Sequence, residues 1–470
     1  MRGELAAMLR IAIPVVLAEL GWMAMGVVDT IMVGPLGPEA IAAAGIGNSL
    51  HMAFAIFGMG LLLGLDTLVS QAFGARQIDI CHRWLIHGVA LALLLAAPLT
   101  LVCGALYFSI PALGFHPKVE PLLEEYYGVL LWSSAPLLLY AAFRRYLQGI
   151  HVVTPIMFAL VSANIVNAVA NWALIYGHLG FPAMGVAGAA WATALSRVYM
   201  ALVLLTAIVV YDRWRLHDVT RLTAHLARSW FARLIRLGFP AASTVALEVG
   251  VFASATALAG KLDPISAASH QIALNIAAVA FMVPLGLASA GAVRVGHAVG
   301  AGDARRAAAA GWTAIWLGVG FMLIAATAFL TIPRVLIGLF SRDEAVLALG
   351  TTLLFVAAVF QLFDGLQGVT TGVLRGVADT RTPMLTNLAA HWLFGLPVGY
   401  TLCFVLGVGV VGLWIGLSTG LIIAGVVLLY VWHRRIRALA HRLERREDDH
   451  HPVRDLEPVP VRDPDGHLDR

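Results

Sequence analysis

Apolar residues in this chain gather in stretches of about twenty, and polar residues fall between them. Twelve such runs occur, at about 11–33, 48–72, 84–109, 122–147, 155–177, 185–211, 235–260, 274–298, 309–333, 345–374, 383–406 and 409–433. Each is long enough to cross the roughly 30 Å hydrocarbon layer of a bilayer as a helix. The pattern therefore predicts an all-α, polytopic membrane protein of twelve transmembrane helices. The first run holds Glu19 and Asp29 and shows no small-residue cleavage site, so it is read as a retained helix and not a signal peptide.

Charge placement orients the spans. Arginines crowd alternate loops: Arg76 and Arg83, Arg144 and Arg145, Arg213 through Arg236, Arg305 and Arg306, Arg375 and Arg381, and Arg434 onward. The intervening loops carry only Lys118, Lys261, Arg334 and Arg342. Positively charged loops stay on the cytoplasmic side, so the expectation is a plasma-membrane (bacterial inner-membrane) protein with both termini cytoplasmic. Composition agrees, with 60% apolar and 12% charged residues, against roughly 45–50% and 25% in soluble domains. The net charge of +4 is concentrated in those loops, which argues against a nucleic-acid partner. Cys81, Cys103 and Cys403 form no CxxC pair, so neither a disulfide framework nor a zinc site is indicated.

The two halves repeat each other. LGPEAIAAA at 36–44 matches LDPISAAS at 262–269, and SQAFGA at 70–75 matches GHAVGA at 296–301, both shifted by 226. YLQGIHVVTPIM at 146–157 pairs with VLRGVADTRTPM at 373–384, and GVAGAAW at 185–191 with GVVGLW at 409–414. Six spans repeated in the same orientation imply two lobes related by a pseudo-two-fold axis along the membrane normal. The expected divisions are an N-terminal lobe 1–211, a cytoplasmic connector 212–234, a C-terminal lobe 235–433 and a basic tail 434–470. The connector has the amphipathic spacing of an interfacial helix. The start of the tail should extend the last helix, and its Pro- and charge-rich remainder should be disordered.

Ionisable residues inside the apolar runs are the candidate chemistry, because each costs roughly 2.5–3.5 kcal/mol at mid-bilayer. Asp364 heads the set: Phe360, Asp364, Gln367 and Thr371 step by 4, 3 and 4 and share a helix face. Thr244, Glu248 and Phe252 form a similar stripe on the seventh span. Two close carboxylates in low dielectric cannot both stay ionised and unpaired, so one takes a proton, a metal cation or a cationic substrate. Competition among the three suffices for antiport. Asn164, Asn167 and Asn171 share a face of the fifth span. Glu19 is read as a further cation contact or a group in a water-filled entrance, Gln271 as a cavity residue just before the eighth span, and Asp66 as structural. His51, His87, His270, His297 and His391 lack ligand spacing and are read as packing or interface residues.

VDTIMVGPLG in the first span, GLDTLVSQAFGA ending the second, YLQGIHVVTPIM, the seventh-span Glu248, RVGHAVGAGD and FDGLQGVTTGVLRGVADTRTP resemble multidrug and toxic compound extrusion (MATE) transporters, nearest their NorM-like branch. The likeness covers about residues 8–433. It implies export of small organic cationic or amphipathic compounds by alternating access in exchange for inward H⁺ or Na⁺. It also implies no cofactor, and no partner beyond the cargo and the lipid bilayer; the chain is expected to be monomeric. By this resemblance Glu248 and Asp364 are the cation-coupling carboxylates, and would be the metal ligands if Na⁺ is the coupling ion. Asp29, Asn164, Asn167, Asn171 and Thr193 resemble the N-terminal-lobe polar network. Phe360 stands where such sequences often have Tyr. Losing that hydroxyl removes an oxygen ligand and favours H⁺, while Phe252 and Phe360 offer ring faces to an organic cation or simply pack.

Three other readings compete. A lipid-linked precursor flippase of the same superfamily favours a cationic cavity, whereas the charges singled out here are acidic. A membrane-embedded enzyme finds no HExxH, GxSxG or P-loop motif. A channel fits the two-lobed repeat less well than alternating access does.

Overall fold

The computed structural model describes residues 2–215 and 226–448. Among them no strand occurs, and twelve helices are long and apolar enough to cross a membrane. They are α1 (Gly3–Leu36), α2 (Pro38–Gly74), α3 (Ile78–Leu113), α4 (Glu120–Gly149), α5 (Thr154–Tyr176), α6 (Gly185–Asp212), α7 (Arg228–Ala259), α8 (Pro264–Gly300), α9 (Ala304–Thr331), α10 (Glu344–Gly376), α11 (Arg381–Val405) and α12 (Val410–His441). Each predicted apolar run lies within one helix or overlaps it.

Several helices outrun their apolar segments because local sequence caps the extra turns. α2 opens at Pro38 rather than 48 and α8 at Pro264 rather than 274, since proline suits a first helical turn. Asp263, Asp303 and Asp343 cap α8, α9 and α10, accepting from the backbone N–H of Ser266 at 2.9 Å, Arg306 at 2.8 Å and Ala345 at 2.9 Å. Gly37, at φ 109°, makes the reversal between α1 and α2. α2 is interrupted by a tight turn at Leu62 and Leu63. α11 widens to π-helical geometry over Leu388–Gly395 and Thr401–Val405. Residues 216–225 of the expected interfacial connector lie outside the described residues, while 212–215 continue the helix of α6 and Arg228 onward already belongs to α7. The helix of α12 runs on to Asp448, and the rest of the tail lies outside the described residues.

The 226-residue repeat is a spatial symmetry. α8 begins and ends 226 residues after α2, and α9 begins 226 after α3. Helix packing across the lobe boundary obeys the same shift. Gly60 lets α2 approach Ala242 of α7, and Gly286 lets α8 approach Val16 of α1; the two contacts exchange under the 226 shift. Gly74 lies against the backbone of His297, and Gly300 against the carbonyl of Gln71, again exchanging positions. Hydrogen bonds follow suit: Gln71 Nε2 donates to Gly376 O at 3.0 Å, and His297 Nε2 to Gly149 O at 2.6 Å. Close helix approach of this kind needs glycine, because a Cβ at Gly74 or Gly300 would collide with backbone.

The contacts at Gly74, Gly300, Gln71 and His297 fall at one end of the bundle, called basal here, where α2, α4, α8 and α10 terminate, while Gly60–Ala242 and Gly286–Val16 lie deeper. Ion pairs reinforce them. Arg294 of α8 grips Glu4 with Nε–Oε1 at 2.9 Å and Nη2–Oε2 at 2.6 Å, a two-pronged geometry among the stronger charge-assisted contacts. Thr67 Oγ1 donates to Arg375 O at 2.6 Å. Asp66, fully buried, lies 3.4 Å from both Arg145 of its own lobe and Arg375 of the other.

Candidate functional site

The C-terminal lobe encloses a cavity of about 840 Å³ walled by α7, α8, α10 and α11, with Ile56 of α2 on its rim. Its surface is mainly apolar, and Glu248 and Asp364 both face it. The 4, 3, 4 spacing works as expected: Asp364, Gln367 and Thr371 line one face of α10 toward the cavity. Asp364 of α10 is 4% exposed, whereas Glu248 of α7 is half-buried. The pair is close enough for each charge to feel the other. Trp392 of the π-helical stretch donates Nε1–H to Leu247 O at 3.1 Å, pinning α11 to α7 beside Glu248.

Neutral polar groups complete the wall. Gln367 donates to Asn387 Oδ1 at 3.3 Å, leaving Gln367 Oε1 and Asn387 Nδ2 without partners among the described residues. The hydroxyl of Thr371, one turn further along α10, also lacks a partner among the described residues. The two carboxylates are thus accompanied by neutral groups with hydrogen-bonding capacity to spare.

Gln271 lines the cavity too, but sits two turns inside α8 rather than before it, since that helix starts at Pro264. Phe252 keeps part of its ring open to the cavity. Phe360 does not present a face: it is 1% exposed and wedged between Phe252, centroid 6.0 Å away, and Trp414, at 5.4 Å. Its role in the wall is packing. At the basal end the lining includes Arg375 and Thr380.

The N-terminal lobe holds a separate polar centre. Asn171 Nδ2 donates to Asp29 Oδ1 at 2.8 Å and to Asn167 Oδ1 at 3.1 Å, and Thr193 Oγ1 donates to Asp29 Oδ2 at 3.0 Å. Asn164 does not join them. Its amide donates instead to the carbonyls of Gly21 at 2.9 Å and Leu160 at 2.8 Å. None of these residues lines the C-terminal cavity, so the structure gathers the candidates into two centres.

Glu19 is neither a free cation contact nor a group in a watery entrance: it forms a buried ion pair with Arg144 of α4. Asp66 pairs with one guanidinium group of each lobe, consistent with a structural role. His297 is an interface residue, as its bond to Gly149 shows. Sequence reasoning missed Arg197, which is 3% exposed on α6, donates to Ser133 Oγ at 2.5 Å and lies 3.1 Å from His51 Nε2. It acts electrostatically on Asp29. The available signal was a lone arginine within the apolar run 185–211.

Two repeated six-helix lobes, one enclosing an acidic and largely apolar cavity, define a membrane transporter rather than an enzyme. The MatE family model matches residues 14–173 and again 240–401, once in each lobe, and the chain belongs to this family. It is 37% identical over 446 residues to the probable multidrug resistance protein NorM of Mesorhizobium japonicum, covering 93% of this chain and 95% of that one. It is 35% identical over 444 residues to the multidrug resistance protein NorM of Burkholderia vietnamiensis, covering 92% and 94%. Among solved structures, the eukaryotic MATE transporter AtDTX14 superimposes with a TM-score of 0.82 at 24% identity, over 94% of this chain and 99% of that one. A MATE protein in the bent conformation gives 0.85 at 22%, over 93% and 96%. These two share the fold.

Proposed function

We propose that the chain is a secondary active antiporter that exports organic cations, drugs or other amphipathic xenobiotics in exchange for inward H⁺ or Na⁺ by alternating access. The observation that carries this reading is the C-terminal cavity: two carboxylates, Glu248 of α7 and Asp364 of α10, lining a largely apolar chamber of about 840 Å³. That volume lies in the range of small-molecule sites. An organic cation there gains apolar contact and charge compensation together, and an entering proton or Na⁺ competes for the same carboxylates. The multidrug names of the NorM relatives support the cargo class.

H⁺ is the favoured coupling ion. Phe360 brings no oxygen to the site, whereas both carboxylates remain able to accept a proton. If Na⁺ is used instead, Glu248 and Asp364 are its ligands, with Gln367 Oε1 and Thr371 Oγ1 as neutral oxygens beside them. Asp29, with Asn167, Asn171 and Thr193, forms the N-terminal-lobe centre whose protonation would bias helix geometry. A flippase for pyrophosphate lipids is disfavoured because such a headgroup would meet two carboxylates. The protein acts as a monomer in the bacterial inner membrane with both termini cytoplasmic, the orientation that its arginine-rich basal loops favour.

Efflux of a cationic dye from proteoliposomes, under imposed pH and Na⁺ gradients applied separately, tests the reading. Export driven by the pH gradient alone is expected. Strong export under a Na⁺ gradient at equal pH and zero potential, lost on replacement by choline, would reverse the ion assignment. No export under either gradient would overturn antiport.

A further inference from the structure

A second, polar pocket of about 390 Å³ opens at the basal surface of the C-terminal lobe. It lies between the basal parts of α7 and α8, the α10–α11 loop and the extension of α12. Arg236, Arg381 and Arg435 line it, together with Asp379. Asp379 is fully engaged: it accepts from Arg435 Nε at 2.9 Å, from Thr382 N at 3.1 Å and from Thr382 Oγ1 at 2.8 Å. It therefore neutralises Arg435 and leaves two guanidinium groups in excess. Arg236 and Arg381 are exposed and pair with no carboxylate among the described residues. Thr380, 3% exposed, lines the same pocket with its Oγ1 unpartnered among the described residues.

We propose that this pocket takes a phosphate group. Two unpaired, exposed guanidinium groups converging on one polar pocket form the donor set that phosphate oxygens require. The fold does not impose that set. The other repeat has Val152 and Val153 where this loop has Asp379, Thr380 and Arg381, although Arg10 matches Arg236 in the 226 shift. The position also fits the headgroup level of a bilayer. Arg236 is flanked on α7 by Ile235 and Phe239, 41% and 51% exposed, which form an apolar outer surface suited to acyl chains. Leu237 and Val299 continue that apolar character into the pocket. The phosphate is then that of an anionic lipid held against the C-terminal lobe, and inorganic phosphate is the alternative source of the same chemistry.

Thermal-shift titrations of the full-length protein in neutral detergent test this, using short-chain phosphatidylglycerol, short-chain phosphatidylcholine and inorganic phosphate in parallel. Phosphatidylglycerol is expected to bind more tightly than phosphatidylcholine. Each arginine lost should weaken binding about fivefold, since a basic residue near an anionic headgroup contributes about 1 kcal/mol. Arg236→Gln/Arg381→Gln should therefore show the largest loss, while Arg334→Gln/Arg342→Gln, the same two-charge change far from the pocket, should not. Because Arg236 and Arg381 are exposed and unpaired, the double variant should fold, and its ligand-free melting temperature verifies that. Saturable binding of inorganic phosphate alone, lost in the double variant, supports the site with a soluble source. Equal affinity for both lipids with no phosphate binding, or affinity unchanged in the double variant, overturns it.

Discussion

Ser70 of α2 and Gly296 of α8 occupy the same position of the two repeats, 226 residues apart, and face each other across the lobe boundary. The pseudo-two-fold axis therefore passes between them, and there is room for one side chain only, since a Cβ on Gly296 would collide with Ser70 Oγ. Gly296→Ser should lower stability by about 1–3 kcal/mol, the usual cost of overpacking. Adding Ser70→Gly exchanges the two residues and should recover most of the loss. Thermal unfolding of both variants in detergent checks this, and no recovery in the exchanged protein would place the axis elsewhere.

Asp364→Asn should reduce gradient-driven dye efflux to the level of protein-free vesicles while the protein still folds. The substitution keeps the shape of a side chain that is 4% exposed and removes its charge. Reconstituted transport measures it, and wild-type rates in the variant would remove Asp364 from coupling.

Glu248→Gln should weaken dependence on the driving ion more than it weakens dye binding. Glu248 shares the chamber with Asp364, and in the proposed mode of binding Phe252 and the apolar walls would carry much of the cargo contact. Dye binding in detergent and efflux in vesicles separate the two effects. Equal losses would make Glu248 a direct cargo contact.

Removing one partner of the Glu19–Arg144 pair leaves a buried charge uncompensated. Arg144→Met should cost about 3–5 kcal/mol, while Glu19→Leu/Arg144→Met should cost much less. Thermal melts of the single and double variants compare them. If both fall equally, the pair's geometry rather than its charge matters.

His151, in the loop between α4 and α5, packs edge-to-face against His297 of the other lobe, with ring centroids 4.0 Å apart. Burial, reinforced by His297, Arg294 and Arg306, pushes its imidazole down to about 3 from an ordinary 6.5. The unfolded chain then binds a proton that the folded chain refuses. The stability that this group contributes is complete above pH 6.5 and is lost as pH falls toward about 3. His151→Phe should flatten part of the fall in melting temperature between about pH 6.5 and 5. An unchanged slope would show that other groups set the acid response.

Periodicity makes much of this legible. The α10 stripe needs only steps of 4 and 3 to bring Asp364, Gln367 and Thr371 to one wall. Asn164 shows where that logic stops: it shares a face with Asn171 but lies two turns away, about 10 Å along the helix, beside Gly21 rather than Asp29. Glu19 looks unpaired in sequence because Arg144 resembles a loop charge, whereas α4 continues past it to Gly149 and holds it inside the lobe. Hydropathy does not reveal which arginines a lobe buries. The repeat aligns Ser70 with Gly296, but contact between them requires the lobes to be packed.

If the lobes rock, as the proposed alternating access requires, the lobe-to-lobe contacts gathered at the basal end would serve as the fulcrum. α2 and α8 each run 37 residues from their distal starts to Gly74 and Gly300, a length of roughly 55 Å at 1.5 Å per residue. A tilt of about 5° around glycines such as Gly74 and Gly300 would swing the far tips by roughly 5 Å. Under such rocking, packing at the pivot would set how wide the distal mouth opens, because the long helices amplify any change in angle there.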